Sequence, residues 1–365
     1  MIGVAFVSTN KVHQRVRSGL LNRLAYVSPS AGYGVKLDAM ESPYEWPGDI
    51  QEKWLLALKD IHLNRYPNGS AVDLCAAIRQ WAGIDESLGL VLGNGSDELI
   101  QMIAMTVCSC ERPLLSTEPT FSMYRIISES VGSKYIDVPL TEDFDIDLNA
   151  LLAAIDKHDP GCIFFAYPNN PTGNLFDPKK IQAVTEAMNG LVIIDEAYFS
   201  YSRETFMPYM HTVDNVAVLR TFSKFGLAGL RLGFLVGPKS WLREIDKVRL
   251  PYNISTLTQV TGQFALSCSE WFESKVRDIC FERERFEAEV RKFPQLIVYP
   301  SAANFFLIRF EVRDMDVVVD KLLDGNIMVK NLDNQHEKLR GCIRVTVGTP
   351  DENDQFLQVL RKALD

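Results

Sequence analysis

Hydrophobic positions along this chain recur with two periods, and the switching between them marks out its elements. From Gln51 to Asn64, Trp54, Leu55, Leu58 and Ile61 fall at helical spacing, and Arg65-Tyr66-Pro67-Asn68-Gly69 closes that helix with turn chemistry. Leu74, Ala77, Ile78 and Trp81 predict a second helix, and Leu88 to Leu92 a strand. Beyond Gly93-Asn94-Gly95-Ser96-Asp97-Glu98 lies an apolar helix from Leu99 to Val107. Over 113–220, short apolar runs alternate with helical stretches. Strands are predicted at Leu114-Leu115, Tyr135 to Val138, Cys162 to Ala166, Leu191 to Ile194 and Val216 to Leu219, and helices at Phe121 to Val131, Leu148 to Ile155 and Pro178 to Met188. Such alternation predicts an α/β fold with a doubly wound, mostly parallel sheet covered by helices on both faces.

The ends of the chain read differently. Residues 1–50 are punctuated by Pro29, Pro43, Pro47, Gly32, Gly34 and Gly48 too often for long helices, and predict an extended N-terminal arm. From about residue 255 a charged amphipathic helix (Trp271 to Phe293) leads into strand-like runs at Leu296 to Tyr299, Asn304 to Phe310, Ile327 to Val329 and Cys342 to Val347, with helices near Val317 to Leu323 and Glu352 to Ala363. The expected organisation is therefore an arm over 1–50, a large domain over 51–255 and a smaller α+β domain over 256–365 that takes in part of the arm.

Composition narrows the partners. The 365 residues are 47% hydrophobic and 23% charged, as in an ordinary globular protein, and the net charge of −9 comes without a basic block. Nucleic acid and anionic membrane surfaces are thereby disfavoured. Seven scattered cysteines, an odd number, suit a reducing cytoplasm better than a disulfide framework, and the five histidines show no metal spacing. The run Ile2 to Val7 is too short for a secretory leader, and no apolar run reaches the length of a membrane span.

In doubly wound sheets ligands bind beyond the carboxyl ends of the strands, so residues just after each strand carry the chemistry. Cys162 to Ala166 is followed by Tyr167-Pro168-Asn169-Asn170-Pro171-Thr172-Gly173, Leu191 to Ile194 by Asp195-Glu196-Ala197-Tyr198, and Val216 to Leu219 by Arg220-Thr221-Phe222-Ser223-Lys224. By itself Lys224 is either a surface lysine after a strand or a lysine in a small-residue, apolar setting, which is pushed toward its neutral form, and neutral lysine amines form Schiff bases. Read alone, Ser96-Asp97-Glu98 is an ordinary helix start with Ser96 as its cap, the alternative being a phosphate cradle. In Cys342 to Val347, Ile343, Val345 and Val347 share one strand face and leave Arg344 beside Thr346 on the other, where an arginine either meets solvent or binds a carboxylate or phosphate.

The segments KLDAMESPY, RYPNGS, GNGSDE, EPTFSMY, YPNNPTGN, IIDEAYFSY, RTFSKFGLAGLRLGF, RLPYNIS and RGCIRVTVGT stand in this order, and with them the chain resembles the fold-type I pyridoxal-phosphate-dependent aminotransferases. Within that superfamily it is similar over nearly its full length to the histidinol-phosphate aminotransferases. The resemblance implies pyridoxal 5'-phosphate as cofactor, covalently anchored on Lys224. It implies Asp195 at the pyridine nitrogen, Tyr198 and Asn170 at the phenolate oxygen, and Phe121 stacked on the ring where the family often has tyrosine. The cofactor phosphate is expected at Ser96 and Asp97 with Ser223 and Arg231, which favours the cradle over the plain cap. Tyr66 is expected to reach the phosphate in a neighbouring subunit, implying a homodimer, and Tyr26, Lys330 and Arg344 are expected at the anionic end of the substrate. The implied reaction moves the amino group of histidinol phosphate to 2-oxoglutarate, the alternatives being an aromatic aminotransferase or a phospho-amino-acid decarboxylase. Two departures stand out: Lys224 and Arg231 are one residue closer than in the commoner SKAFGLAGLR pattern, and Lys330 occupies a position where many relatives carry arginine.

Overall fold

The computed structural model describes residues 8–21, 25, 34–311 and 315–364. The described strands are β1 (Val35–Leu37), β2 (Leu88–Gly93), β3 (Leu114–Glu118), β4 (Tyr135–Pro139), β5 (Cys162–Ala166), β6 (Leu191–Asp195), β7 (Val216–Thr221), β8 (Gly233–Pro238), β9 (Leu296–Val298), β10 (Phe305–Phe310), β11 (Ile327–Asn331) and β12 (Cys342–Thr346). They form a seven-stranded sheet in the order β2-β8-β7-β6-β5-β3-β4 and a five-stranded sheet in the order β1-β11-β12-β10-β9.

In the larger sheet β3, β4, β5, β6 and β7 run parallel, and β8 lies antiparallel between β7 and β2. Every residue of β5 and β6 is buried. Their unbroken apolar runs are what a strand covered on both faces requires. The pleat divides them: Val192, Ile194, Val216 and Val218 join one apolar cluster, while Leu191, Ile193, Ala217 and Leu219 join another. Two cores therefore grip the sheet and hold its strand ends in place.

The structure departs from the periodicity at several points. Gly233–Pro238 forms an antiparallel strand, and helices cover Lys239–Asp246 and Thr256–Ser267. The two glycines of β8 weaken its strand signal. The helix expected over Gln51 to Asn64 runs instead from Gly48 to Leu58. Within the arm, short helices lie at Ser8–Arg15 and Ser18–Leu21, and β1 pairs in parallel with β11, Val35 opposite Ile327. The helix Thr256–Ser267, capped by the Ser255 hydroxyl accepting from the Thr258 amide, packs on helices Gly48–Leu58 and Val72–Ala82. Among the described residues no helix is long and apolar enough to cross a membrane, and none of their His, Cys, Asp and Glu side chains group as a metal site.

Candidate active site

Asp195 is the last residue of β6, in register with Ala166 of β5 and Leu219 of β7. Its Oδ2 accepts from the Tyr124 hydroxyl at 2.7 Å and its Oδ1 from the Ala197 amide at 3.1 Å. Burial pushes this carboxyl up to about 7, against the downward pull of those two donors. Three residues on, the buried Tyr198 hydroxyl accepts from Asn170 Nδ2 at 3.1 Å. Lys224 sits in the short 3-10 turn Ser223–Phe225 that follows β7, its Nζ donating to the Ala39 carbonyl at 3.0 Å. The Tyr201 hydroxyl holds the Lys224 carbonyl at 2.7 Å. Loss of solvation, then the positive charge of Arg344, lower the Lys224 amine to about 8.

Beside this pair the helix Ser96–Val107 starts from Gly95 at φ 84, with no side-chain cap on its first amides. Gly95, rather than Ser96, is thus the cap residue, and the first-turn N–H groups remain open to an anion. Arg231 donates to the Ser223 hydroxyl at 3.1 Å and pairs with Asp97 at 3.4 Å, and the Thr221 hydroxyl bonds Ser223 at 3.0 Å. A Cβ on Gly95 would lie 2.4 Å from Arg231 Nη2, so only glycine lets the arginine lie across the helix start. The shortened Lys224–Arg231 spacing is absorbed by two 3-10 turns, with Gly226 at φ 103 and Arg231 itself at φ 50. Arg231 still reaches Ser223.

Arg344 projects from β12 opposite Lys330 of β11. Its Nη1 donates to Asn170 Oδ1 at 2.5 Å and its Nη2 to the Asp38 carbonyl at 2.7 Å. Asn170 therefore links Tyr198 to Arg344, one sheet to the other. Lys330 is exposed, with its amine lowered by partial desolvation and by Arg344. Phe121 lies edge-on to Tyr124 at 5.5 Å and is half-buried. Tyr66 stands apart: it is 81% exposed and stacked on Tyr252 at 4.5 Å. Tyr26 lies outside the described residues.

The family described as aminotransferase class I and II matches residues 35–360. The chain belongs to that family. Histidinol-phosphate aminotransferase 2 of Nitrosococcus oceani is 44% identical over 355 residues, 97% of this chain and 99% of its own. Histidinol-phosphate aminotransferase 1 of Burkholderia lata is 41% identical over 350 residues, 96% and 98% of the two chains. The fold is also that of the Sinorhizobium meliloti histidinol-phosphate aminotransferase solved with pyridoxal-5'-phosphate, with a TM-score of 0.85 at 23% identity, covering 99% of this chain and 98% of that one.

The aminotransferase also recruits groups that the sequence reading did not single out. Glu196 accepts from Arg220 Nε at 2.9 Å and Nη2 at 2.7 Å, from the Thr205 hydroxyl and from the Phe206 amide, and the Arg220 guanidinium stacks on Phe199 at 3.5 Å. This buried pair ties the end of β6 to β7, and so Asp195 to the lysine turn. The arm segment Asp38-Ala39-Met40 threads between Arg344 and Lys224, pinned where Met40 N donates to Thr346 Oγ1 and Asn304 Nδ2 donates to the Met40 carbonyl, each at 3.0 Å. Glu196, Arg220 and Tyr124 lie inside the quoted motifs, so their positions carried a signal. The Ala39 and Asp38 carbonyls did not, because a backbone acceptor leaves no mark on residue type.

Proposed function

We propose that this aminotransferase moves the amino group of L-histidinol phosphate to 2-oxoglutarate, giving imidazole-acetol phosphate and L-glutamate, with pyridoxal 5'-phosphate as cofactor. The observation that carries the reading is the meeting, at one sheet edge, of an amine lowered to about 8, a buried carboxyl and an uncapped helix start crossed by an arginine. These suit an aldehyde, a ring nitrogen and a phosphate respectively, so the residues present fit the cofactor. When bound, pyridoxal phosphate supplies the sink for electrons left at the donor carbon.

The chain's own residues do the rest. Lys224 would anchor the cofactor covalently, and its amine, when free, would be the base that takes and returns the Cα proton. With its amine near 8, about a tenth of it is neutral at pH 7. Asp195 would balance positive charge on the ring nitrogen, Asn170 and Tyr198 would hold the phenolate oxygen, and Phe121 would stack on the ring. The amides of Ser96 and Asp97, with Ser223 and Arg231, would hold the cofactor phosphate. Arg344 takes the anionic end of either substrate, because its planar fork matches phosphate and carboxylate alike. Lys330 adds a point charge next to it, and Tyr26 is assigned to the same end.

The same reading makes the protein a homodimer, with Tyr66 of one subunit at the cofactor phosphate of the other. Supporting it, Tyr66, Leu55, Leu56, Leu63 and Leu250 are all more than half exposed, apolar surface that a second copy would cover. The seven free cysteines suit a cytoplasmic setting. The test is visible absorbance followed by a donor panel. The purified protein should show an absorbance band that Lys224→Ala removes, and histidinol phosphate should give the highest kcat/KM. A preference for phenylalanine or tyrosine, or carbon dioxide release from a phosphorylated amino acid, would reassign the activity.

A further inference from the structure

We propose that Tyr124 is a positioning residue of this site, whose buried hydroxyl orients the Asp195 carboxyl and sets the pH at which it ionises. The inference rests on the cofactor reading above only for its consequence, since the geometry belongs to the chain alone. Tyr124 lies in the helix Met123–Val131, one turn beyond Phe121, and is fully buried. Its ring stacks on Phe164 of β5 at 4.8 Å, interplanar angle 28°, and meets the Phe121 edge at 5.5 Å. It sits in the apolar cluster formed by Leu99, Ile103, Leu114, Phe164 and Ile193.

Burying a hydroxyl in such surroundings is costly unless it is bonded, and phenylalanine would fill the same volume without that cost. The bond that satisfies it is the 2.7 Å contact with Asp195 Oδ2. Tyr124 thereby provides a side-chain donor to a buried acid whose other oxygen takes the Ala197 amide. A donor to a carboxylate favours the ionised form, whereas burial disfavours it.

The other ionisable groups around the pair are fixed. Asp97 on the neighbouring helix and Glu196, the residue after β6, raise the Asp195 carboxyl, Glu196 being held by Arg220. Tyr198 and Tyr135 face Tyr124, whose own ionisation is pushed well up by burial and by Asp195. Tyr124 thus keeps its proton, and with it the capacity to donate, throughout the working range. Because the cofactor's ring nitrogen is read as facing Asp195, loss of the hydroxyl would leave a larger share of that carboxyl protonated and unable to balance a positive ring.

The experiment follows Asp195 in the apoprotein by carboxyl carbon NMR across pH, in wild type, Tyr124→Phe, Phe164→Leu and a form with 3-fluorotyrosine at position 124 alone. Asp195→Asn identifies the resonance. Tyr124→Phe is expected to raise the midpoint by about one unit, and the more acidic fluorinated phenol to lower it. Phe164→Leu, a packing lesion that keeps the hydroxyl, should reduce stability and leave the midpoint in place. In the cofactor-loaded enzyme the acid limb of the kcat profile should move with the midpoint. An unmoved midpoint in both Tyr124 forms overturns the proposal. If Tyr124→Phe does not fold, the fluorinated form decides alone. Failure to take up cofactor would count against the proposed function while the apoprotein titration still judges Tyr124.

Discussion

The state of Lys224 is the most direct quantity to test, because its amine must be neutral to act. An ordinary lysine amine at 10.5 is about 0.03% neutral at pH 7, and one at about 8 is about 9% neutral, a difference of roughly 300-fold in reactive amine. Two features cause it: desolvation first, then the Arg344 guanidinium that Asn170 and the Asp38 carbonyl hold in place. The assay labels apoprotein with an amine-directed reagent over a range of pH and quantifies the Lys224 peptide by mass spectrometry against an exposed surface lysine. The label should half-saturate near pH 8, and Arg344→Gln should move the midpoint upward, because a positive neighbour is removed while burial remains. Linkage gives the matching sign in stability. The folded amine binds its proton less tightly than the unfolded one, so folded apoprotein gains stability as pH rises from about 8 to about 10.5. Lys224→Met should abolish that gain. A wild-type midpoint at the ordinary lysine value, or an Arg344→Gln midpoint that falls, refutes this account of the site.

Three other perturbations test the surroundings. Arg220→Met should cost about 3–5 kcal/mol, since it strands the fully buried Glu196 carboxylate, and the double variant with Glu196→Gln should recover part of the loss in a denaturant titration; single losses that simply add in the double variant would show the pair is not coupled. Gly95→Ala should weaken cofactor uptake by about tenfold or more through the clash with Arg231 and the positive φ, read by reconstitution of the apoprotein, and unchanged uptake would remove Arg231 from the phosphate cradle. Asp195 is raised from 3.8 to about 7, so its stabilising share is full below about pH 4 and lost as pH rises to about 7. By the conversion of about 1.4 kcal/mol per unit this is roughly 4 kcal/mol, and the thermal unfolding of Asp195→Asn apoprotein should lack that slope.

Much of the site was legible in local sequence because its side chains sit one step beyond buried strands. Asp195 follows Leu191-Val192-Ile193-Ile194, and Lys224 follows β7 within three residues. An unbroken apolar run marks such a strand, and the first polar residues after it mark the ligand edge. The shortened lysine–arginine spacing was also visible, but its outcome was not. Only the backbone, with Gly226 and Arg231 at positive φ, shows how the shorter turn still delivers the guanidinium to Ser223.

What the sequence determined by itself was the order of elements and the residue types at the strand ends, since hydrophobic period and turn chemistry act over a few residues. The tertiary structure decided which distant groups meet. Asn170 touches Arg344 across 174 residues, and the Lys224 amine finds the Ala39 carbonyl across 185. It also turned β8 antiparallel and drew β1 of the arm into the second sheet beside β11. Such contacts depend on strand order and on how two sheets face each other, and neither leaves a period along the chain. The pairing of Tyr124 with Asp195 belongs to the same class: two motifs 71 residues apart, each readable alone, whose hydrogen bond exists only because helix and strand share one core.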